Sequence, residues 1–276
     1  MNICEAVEHS EALNEDEVGA KVQEDINQAL GVVFYVVGDK FREFADNNVI
    51  LNFSEALLHL KIVAQIAKCI VIGQGVSAAQ SVFLQEQLRA VSSLRAVPVL
   101  HRLNEKIQKE LVDKCDDKNV LITHPTPLHP LQFSSYLIVD EHCTAMADYA
   151  NCEHIQGILL IEAAKQLFMA SVRTQDIAPA FAVKQEEMRF TLSGLQVHFE
   201  NFVFPLAAQL HLTLSDININ GLSASGVASV RVMQFGRLCS EVIFYAKAHT
   251  QKIFSSLEKR GAIKAKNRLD FTKAYF

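Results

Sequence analysis

The segment from His154 to Val172 constrains the fold of this chain more than any other segment. It reads HIQGILLIEAAKQLFMASV, and written as a helix it is apolar on almost every side. A helix that is apolar all round is a buried helix. The sequence therefore predicts that neighbouring residues wrap around this segment, and that its only acidic side chain, Glu162, lies in largely aliphatic surroundings.

Segments with the composition of β-strands flank this helix. One of them, FSSYLIVD, precedes it. Those that follow are FAVKQEEMRFTL, LQVHFENFVF, AAQLHLTLSDININ and the pair SGVASVRVMQF and RLCSEVIFYAKAH. The last two flank Gly236-Arg237 and predict a hairpin. The predicted fold class is α+β, and over residues 116–249 a long antiparallel sheet wraps around the buried helix.

The first part of the chain has a different pattern, in which apolar strands alternate with helices. The strands are GVVFYVVGD, CIVIG and RAVPVLHR, and amphipathic segments such as SEALLHLKIVAQIAK, which Ser54 can cap, separate them. Such alternation implies right-handed crossovers and an open parallel sheet. We therefore predict a small α/β domain, Rossmann-like in type, over residues 31–115.

The chain has 276 residues, which is enough for two domains of typical size. We place their boundary near residue 115, in the charged segment NEKIQKELVDKCDDKN, which we interpret as a helical connector. Residues 1–30 are an acidic leader that lacks the basic start and apolar core of a secretory signal. Residues 250–276 are a basic tail, which we interpret either as a solvated helix packed on its own domain or as a docking surface.

Charge and composition exclude several classes of protein. The net charge of −5 does not indicate the positively charged surface that nucleic-acid binding normally requires. No apolar run approaches the roughly 20 residues that cross a bilayer. The six cysteines have no CxxC pair and no spacing suited to a shared metal, so we expect reduced thiols and no metal site. We expect a cytoplasmic protein.

Three residues of the buried helix region are candidates for catalysis, two by acid–base chemistry and one by binding an oxyanion. Desolvation would raise the pKa of an unpaired Glu162 towards the range of a general acid or base. The alternative is that Lys165 and Gln166, on the same helix face, simply satisfy its carboxylate. His154 either serves acid–base chemistry or has an ordinary capping or surface role. Gly157 either lets an oxyanion approach free backbone N–H groups or is a packing glycine.

The order of these residues resembles a known family. The pattern His-x-x-Gly-x-Leu-Leu-x-Glu-Ala-Ala-x-Gln, from His154 to Gln166, resembles the central-helix motif of the A-factor biosynthesis (AfsA-like) hotdog family, and more distantly the hydroxyacyl-ACP dehydratases. His129, the segment 198–202 and the segment 234–237 agree with the first family. The family motif usually has proline where this chain has Gln156, and arginine where it has Lys165.

The resemblance implies a hotdog fold that uses an acyl-carrier-protein or CoA thioester. It implies acyl transfer to a small hydroxylated acceptor, as in making butyrolactone-type signals and other secondary metabolites. The implied roles are acid–base catalysis for Glu162, orientation or proton transfer for His154, the oxyanion site for Gly157 and acceptor charge for Lys165. Gln156 and Gln166 are further substrate-binding candidates. The alternatives are a dehydratase or thioesterase, and a protein that binds the acyl ligand without turnover.

The family's proteins are similar to two hotdogs in tandem, whereas only one is predicted here. We therefore expect the second hotdog to come from another copy of the chain. The result would be a homodimer with an isologous interface and sites between the two central helices.

One motif of the α/β half suggests a nucleotide. Gly73-Gln74-Gly75-Val76-Ser77-Ala78 follows a strand, opens a helix and has the form GxGxxA. The next strand ends in His101-Arg102, where a dinucleotide site usually has an acidic residue. Arg102 suits a 2′-phosphate, or it is an exposed arginine after a tight turn. We expect no cofactor, with a nucleotide as the alternative.

Overall fold

The computed structural model describes residues 32–45, 48–91, 97–101, 105–148, 153–174, 188–220 and 223–268. The leader 1–30 and Arg102 lie outside these ranges. The helices are α1 (Phe53–Leu58), α2 (Leu60–Ile66), α3 (Ala78–Val91), α4 (Thr144–Ala147), α5 (Gly157–Thr174) and α6 (Gln251–Asn267). The strands are β1 (Val32–Val37), β2 (Ile50–Asn52), β3 (Ala67–Ile72), β4 (Val99–Leu100), β5 (Thr126–His129), β6 (Gln132–Tyr136), β7 (Met188–Phe199), β8 (Gln209–Asn220), β9 (Ser223–Gln234) and β10 (Arg237–Thr250).

The second half of the chain contains the predicted antiparallel sheet. Its six strands lie in the order β5-β6-β8-β9-β10-β7, and every neighbouring pair is antiparallel. The predicted hairpin is confirmed, because β9 and β10 are joined by Phe235 and Gly236 alone. Both of these residues have positive φ, 52° and 74°, as a two-residue type I′ turn requires.

Helix α5 lies against this sheet, as its apolar sequence predicts. Leu159, Ala163, Leu167 and Ala170 have no exposed surface, and they share one core with the inward side chains of β8, β9 and β10. Burying one leucine stabilises the fold by about 2 kcal/mol. The segment around the predicted boundary at residue 115 joins the same core through Val112 and Leu121, and its helical parts are short 3-10 turns at Lys109–Val112 and Asp117–Asn119. Our interpretation of this segment as a helical connector was therefore wrong.

The first half contains a four-stranded parallel sheet in the order β2-β1-β3-β4. Helices α1, α2 and α3 share one core with Phe34, Val36 and Ile70 of this sheet. Val33, Tyr35 and Val71, which alternate with these residues and so lie on the opposite face of the sheet, are only half-buried. Among the described residues all three helices thus cover the same face, whereas a doubly wound Rossmann domain has helices on both faces.

The predicted helix after β2 has a different cap, and it is divided at His59 into α1 and α2. Its cap is Asn52, whose side chain accepts from Glu55 N at 2.9 Å while Glu55 accepts from Asn52 N at 3.1 Å. This reciprocal capping box fixes the start of the helix at Phe53. The predicted cap, Ser54, instead donates its hydroxyl to Asp39 at 2.8 Å.

The two halves meet at a junction formed by Gly38, residues 73–75 and residues 137–141. Gly38 N donates to Gln74 O at 2.9 Å, and Gly75 N donates to Val139 O at 2.8 Å. The buried Gln74 side chain donates to Leu137 O at 2.9 Å and accepts from Val139 N at 2.6 Å. The carboxyl ends of β1 and β3 are thereby bonded to the strand region that follows β6.

This junction accounts for the GxGxxA motif. A Cβ on Gly73 would lie 2.5 Å from Pro205 O, and one on Gly75 would lie 2.8 Å from Gly38 Cα. Gly75 also has a φ of 90°. The buried Glu141 carboxylate accepts from Lys40 N at 3.0 Å beside these glycines. The glycines allow close approach of protein backbone, so the motif has a structural explanation that needs no nucleotide.

Candidate functional site

The centre of the candidate site is Glu162, which α5 holds at the edge of the core. Its Oε1 lies 2.7 Å from Lys114 Nζ, and its Oε2 lies 2.7 Å from Lys165 Nζ. Gln166 Nε2 also donates to Oε1 at 3.2 Å. The Glu162 side chain is 25% exposed. We call Lys114, Glu162, Lys165 and Gln166 the charged cluster.

The pKa of Glu162 is lowered from its ordinary value of 4.5. Burial acts to raise this pKa, but the hydrogen bonds from Lys114 and Lys165, with the charge of Lys165, act in the opposite direction and prevail. Glu162 is therefore not the unpaired carboxylate for which we considered a raised pKa, because Lys165 and Gln166 pair with it and Lys114 does so as well. At neutral pH Glu162 is an ionised hydrogen-bond acceptor.

The lowered pKa predicts how stability depends on pH. An acid whose pKa is lower in the folded state contributes stability that is complete above its unfolded pKa and is lost as pH falls through the folded pKa. We expect the difference in Tm between the natural protein and Glu162→Gln to be constant from pH 8 to about pH 5.5 and to shrink below about pH 4.5. Thermal unfolding across this range measures it. A difference that grows with acidity would contradict the ion pairs.

Gln166 connects the charged cluster to the core. It has no exposed surface, its Oε1 accepts from Leu121 N at 2.8 Å, and its Nε2 donates to Asn119 O at 2.9 Å. These bonds satisfy two backbone groups and fix the amide that contacts Glu162. Its predicted contact with substrate would therefore be indirect, through the position of that carboxylate.

A groove adjoins the charged cluster on the C-terminal side of Glu162. It encloses about 280 Å³. Phe168, Met169, Phe190 and Leu192 form its apolar part, with Val112, while Lys165 and Asp113 supply its charged groups. We call this space the groove. It therefore offers an apolar surface next to one end of the charged cluster.

A second, apolar cleft shares two walls with the groove. Phe168 and Phe190 line both, and their rings meet edge to face with centroids 5.1 Å apart. Val172 of α5 and strands β8, β9 and β10 supply the remaining lining side chains, which include Leu214, Val227 and Ala248. The apolar surface thus continues from the groove into the space between α5 and the sheet.

A buried arginine fixes one side of the groove. Arg173 forms a bidentate ion pair with Asp113, with N···O distances of 2.9 and 3.0 Å. It also donates to Met188 O at 3.1 Å, and its guanidinium lies 5.3 Å from the centre of the Phe190 ring. Planar Arg–carboxylate pairs of this kind hold both partners in one orientation. Asp113, Phe190 and the start of β7 are held together by this one side chain.

His154, Gln156 and Gly157 lie at the other end of the site region, where α5 begins. The His154 ring packs on Phe202, with centroids 4.5 Å apart. A Cβ on Gly157 would lie 2.7 Å from Phe199 Cζ, so this glycine leaves room for the Phe199 ring beside the first residue of α5. Gln156 is half-buried, and its carbonyl accepts from Leu159 N at 2.9 Å.

The structure thus brings together only part of the predicted set. Glu162, Lys165 and Gln166 are in contact, while Gly157 lies five residues before Glu162, about 7.5 Å along the helix axis. Lys114, Asp113 and Arg173 were not predicted. The sequence gives one signal for Lys114, since a carboxylate inside an apolar region requires cationic partners. Choosing Lys114 from the basic residues of a remote segment requires the tertiary structure.

Within the described ranges no group of three histidine, cysteine or acidic side chains is placed to hold a metal ion. No helix there has the length and hydropathy of a membrane span. The four described cysteines, Cys69, Cys115, Cys143 and Cys239, are free thiols.

Comparison with protein families identifies this arrangement. Residues 98–248 match the family model described as the A-factor biosynthesis hotdog domain, which is more than half of the chain. The chain belongs to the A-factor biosynthesis hotdog family. The family resemblance of the α5 motif is thereby confirmed, and the AfsA-like match begins at β4, within the parallel sheet.

Solved structures similar to this AfsA-like chain include bacterial thioesterases. A mutant thioesterase from Pseudomonas aeruginosa has 11% identity and a TM-score of 0.33, covering 47% of this chain and 81% of that one. A thioesterase from Haemophilus influenzae has 11% identity and a TM-score of 0.33, with 47% and 79% covered. The E. coli PaaI protein has 12% identity and a TM-score of 0.31, with 45% and 80% covered. No curated protein matches the sequence.

Proposed function

We propose that this AfsA-like protein binds a fatty-acyl thioester in the groove and transfers the acyl group to a small hydroxylated acceptor. The observation that carries the proposal is the position of the charged cluster at one end of a continuous apolar surface. Ligand sites commonly combine an apolar pocket with a few convergent polar groups. An acyl chain requires the first feature and a reacting thioester the second.

In this proposal the acyl chain lies on Phe168, Met169, Phe190 and Leu192 and extends towards the apolar cleft. Each buried CH₂ group contributes about 0.8 kcal/mol. The thioester then lies beside Lys165 and Glu162. Lys165 offers its positive charge to the acceptor, but as a point charge without the planar fork of an arginine.

The ionised Glu162 gives a direct mechanism. The acceptor hydroxyl attacks the thioester carbonyl carbon, and its proton moves to the Glu162 carboxylate as the C–O bond forms. When the tetrahedral intermediate collapses, the C–S bond breaks and this proton passes to the departing thiolate. The products are the acyl ester and the free thiol. A proton relay of this kind uses no group beyond the charged cluster and the two substrates.

A homodimer forms part of the proposal and gives roles to His154 and Gly157. The side chains of Ile158, Leu195, Phe199 and Phe202, which lie near the start of α5 and along β7, are large, apolar and exposed. An isologous contact through this surface would set the helix start of one chain beside Glu162 of the other. Backbone N–H groups at Gly157 would then stabilise the oxyanion, with His154 and Gln156 beside the substrate.

The mass of the protein in solution tests the homodimer. We expect sedimentation equilibrium to give twice the chain mass of 30.7 kDa, and Phe199→Asp with Phe202→Asp to give a folded monomer. Burying the two introduced carboxylates in an apolar interface would be costly. The control is Phe83→Asp, which changes an exposed phenylalanine of α3. A natural protein that sediments as a monomer at micromolar concentration would contradict the proposal.

Product analysis tests the reaction. The natural protein is incubated with acyl-carrier-protein and acyl-CoA thioesters of several chain lengths and with a panel of small hydroxylated acceptors, and the products are identified by mass spectrometry. An acyl ester supports transfer. Free acid with every acceptor would identify a thioesterase, loss or gain of water would identify a dehydratase or hydratase, and saturable binding without product would identify a binding protein. Each of these three results would overturn acyl transfer.

A further inference from the structure

Helix α6 projects a row of lysines from the end of β10. Its 17 residues include five basic side chains and one acidic side chain, a net charge of +4 in a chain whose net charge is −5. Lys252, Lys259 and Lys266 are spaced by seven residues, which places them on one side of the helix at intervals of about 10 Å. Glu258, the only acidic residue of the helix, lies about 100° away from this row. We call these three residues the lysine row.

The fold does not account for the lysine row. No residue of α6 is buried, and all three lysines are exposed. Within the described ranges none of the three forms an ion pair or a hydrogen bond. The start of the helix, by contrast, is fixed, because Thr250 caps it by accepting from Ile253 N. Three such lysines in a row, with no ion-pair partner among the described residues, repel one another. An acidic surface on a bound protein would therefore stabilise them.

The position of α6 links it to the groove. Thr250, the residue before the helix, pairs with Met188 across the sheet, and Ala248 pairs with Phe190. Met188 O accepts from Arg173, which is ion-paired with Asp113 in the groove. Ala248 itself lines the apolar cleft. A protein bound along α6 would therefore lie beside the surface on which we place the acyl chain.

We propose that the lysine row is the docking surface for a carrier protein that has an acidic surface and delivers the acyl group as its thioester. This inference rests on the proposed function and deepens it, since it selects the carrier-linked thioester over the CoA thioester. Complementary charges of this kind raise association rates and orient the partner. The row of three cations fits a partner helix with carboxylates at matching intervals.

An anionic membrane fits α6 less well than an acidic protein does. The two large apolar residues that α6 exposes most are Leu257 and Ile263. They are six residues apart, which separates them by about 120° around the helix. Ile263 lies beside the lysine row, about 40° from Lys259, while Gly261 and Ala265, next to Leu257, occupy much of the opposite side. A helix that lies in a membrane interface needs a wide apolar stripe of large side chains.

Charge reversal tests the proposal with the full chain. Lys259→Glu with Lys266→Glu is compared with the natural protein and with a control, Lys61→Glu with Lys68→Glu, which makes the same change in net charge at exposed lysines of the α/β half. We expect the α6 variant to raise the KM for the carrier-linked substrate at least about tenfold at low salt, with kcat/KM for the matching CoA thioester unchanged. The control should leave both substrates unaffected.

Direct binding separates this inference from the proposed reaction. Fluorescence anisotropy of a labelled, acylated carrier measures docking whether or not a product forms. Binding that is weakened about tenfold by the α6 variant and by 300 mM salt supports the lysine row even if no transfer occurs. Equal binding to the α6 variant and the control, no binding of the carrier, or binding only to vesicles that contain phosphatidylserine would overturn it.

Discussion

We expect Glu162→Gln to lower kcat/KM for the proposed acyl transfer by about 100-fold or more. The amide keeps the size of the side chain and can still accept a hydrogen bond, but it cannot take the proton of the attacking hydroxyl. It also removes the anion that holds Lys114 and Lys165 at 2.7 Å. Initial rates with the thioester and acceptor identified by product analysis give the value.

The controls for this variant separate chemistry from folding. Glu86→Gln makes the same change at an exposed position of α3 and should leave the rate unchanged. Because Lys114 and Lys165 are partly exposed, solvent can hydrate them once Glu162 is neutral, so we expect the variant to remain folded. Circular dichroism checks this. A folded Glu162→Gln protein with the natural turnover would remove Glu162 from the mechanism.

Replacing Gly75 by alanine destabilises the protein by about 3 kcal/mol or more. Gly75 has a φ of 90°, and its new Cβ would lie 2.8 Å from Gly38 Cα, so the change adds backbone strain and a contact between two backbones that cannot both stay in place. Urea unfolding measures the effect.

Two other glycines resolve this effect into its parts. Gly236→Ala imposes a positive φ of 74° in open space and should cost about 1 kcal/mol. Gly261→Ala, in the exposed helix α6 with nothing nearby, should stabilise by roughly 0.5–1 kcal/mol. A cost at Gly75 no greater than at Gly236 would show that close approach at the junction has no energetic weight.

Local sequence patterns correctly predict two elements of the hotdog half, one helix and one hairpin. The apolar pattern predicts α5, and the apolar alternation with Gly236 predicts the β9–β10 hairpin. The same signals predict a break in β7 at Ser193-Gly194 that does not occur. The strand continues because a register shift opposite Tyr245 and Ala246 accommodates the extra residue, and Gly194 lies under the Tyr245 ring.

The candidate site is predictable only in the part that lies on one helix. The motif from His154 to Gln166 identifies Glu162, and helical spacing puts Lys165 and Gln166 next to it. The pKa of Glu162 also depends on Lys114, which comes from a segment 48 residues earlier in the chain. Its direction therefore could not be predicted from the helix alone.

The hotdog half of this chain depends on the parallel sheet through the junction. Val139 N is satisfied by the side chain of Gln74, and Gly75 N is satisfied by Val139 O. A fragment cut to the family match, 98–248, would lose Gln74 and leave a buried amide without an acceptor. It would also lose Val37 and Phe41 from the core that surrounds α5. The hotdog half therefore cannot be transferred alone to another protein, because its buried groups also need the parallel sheet.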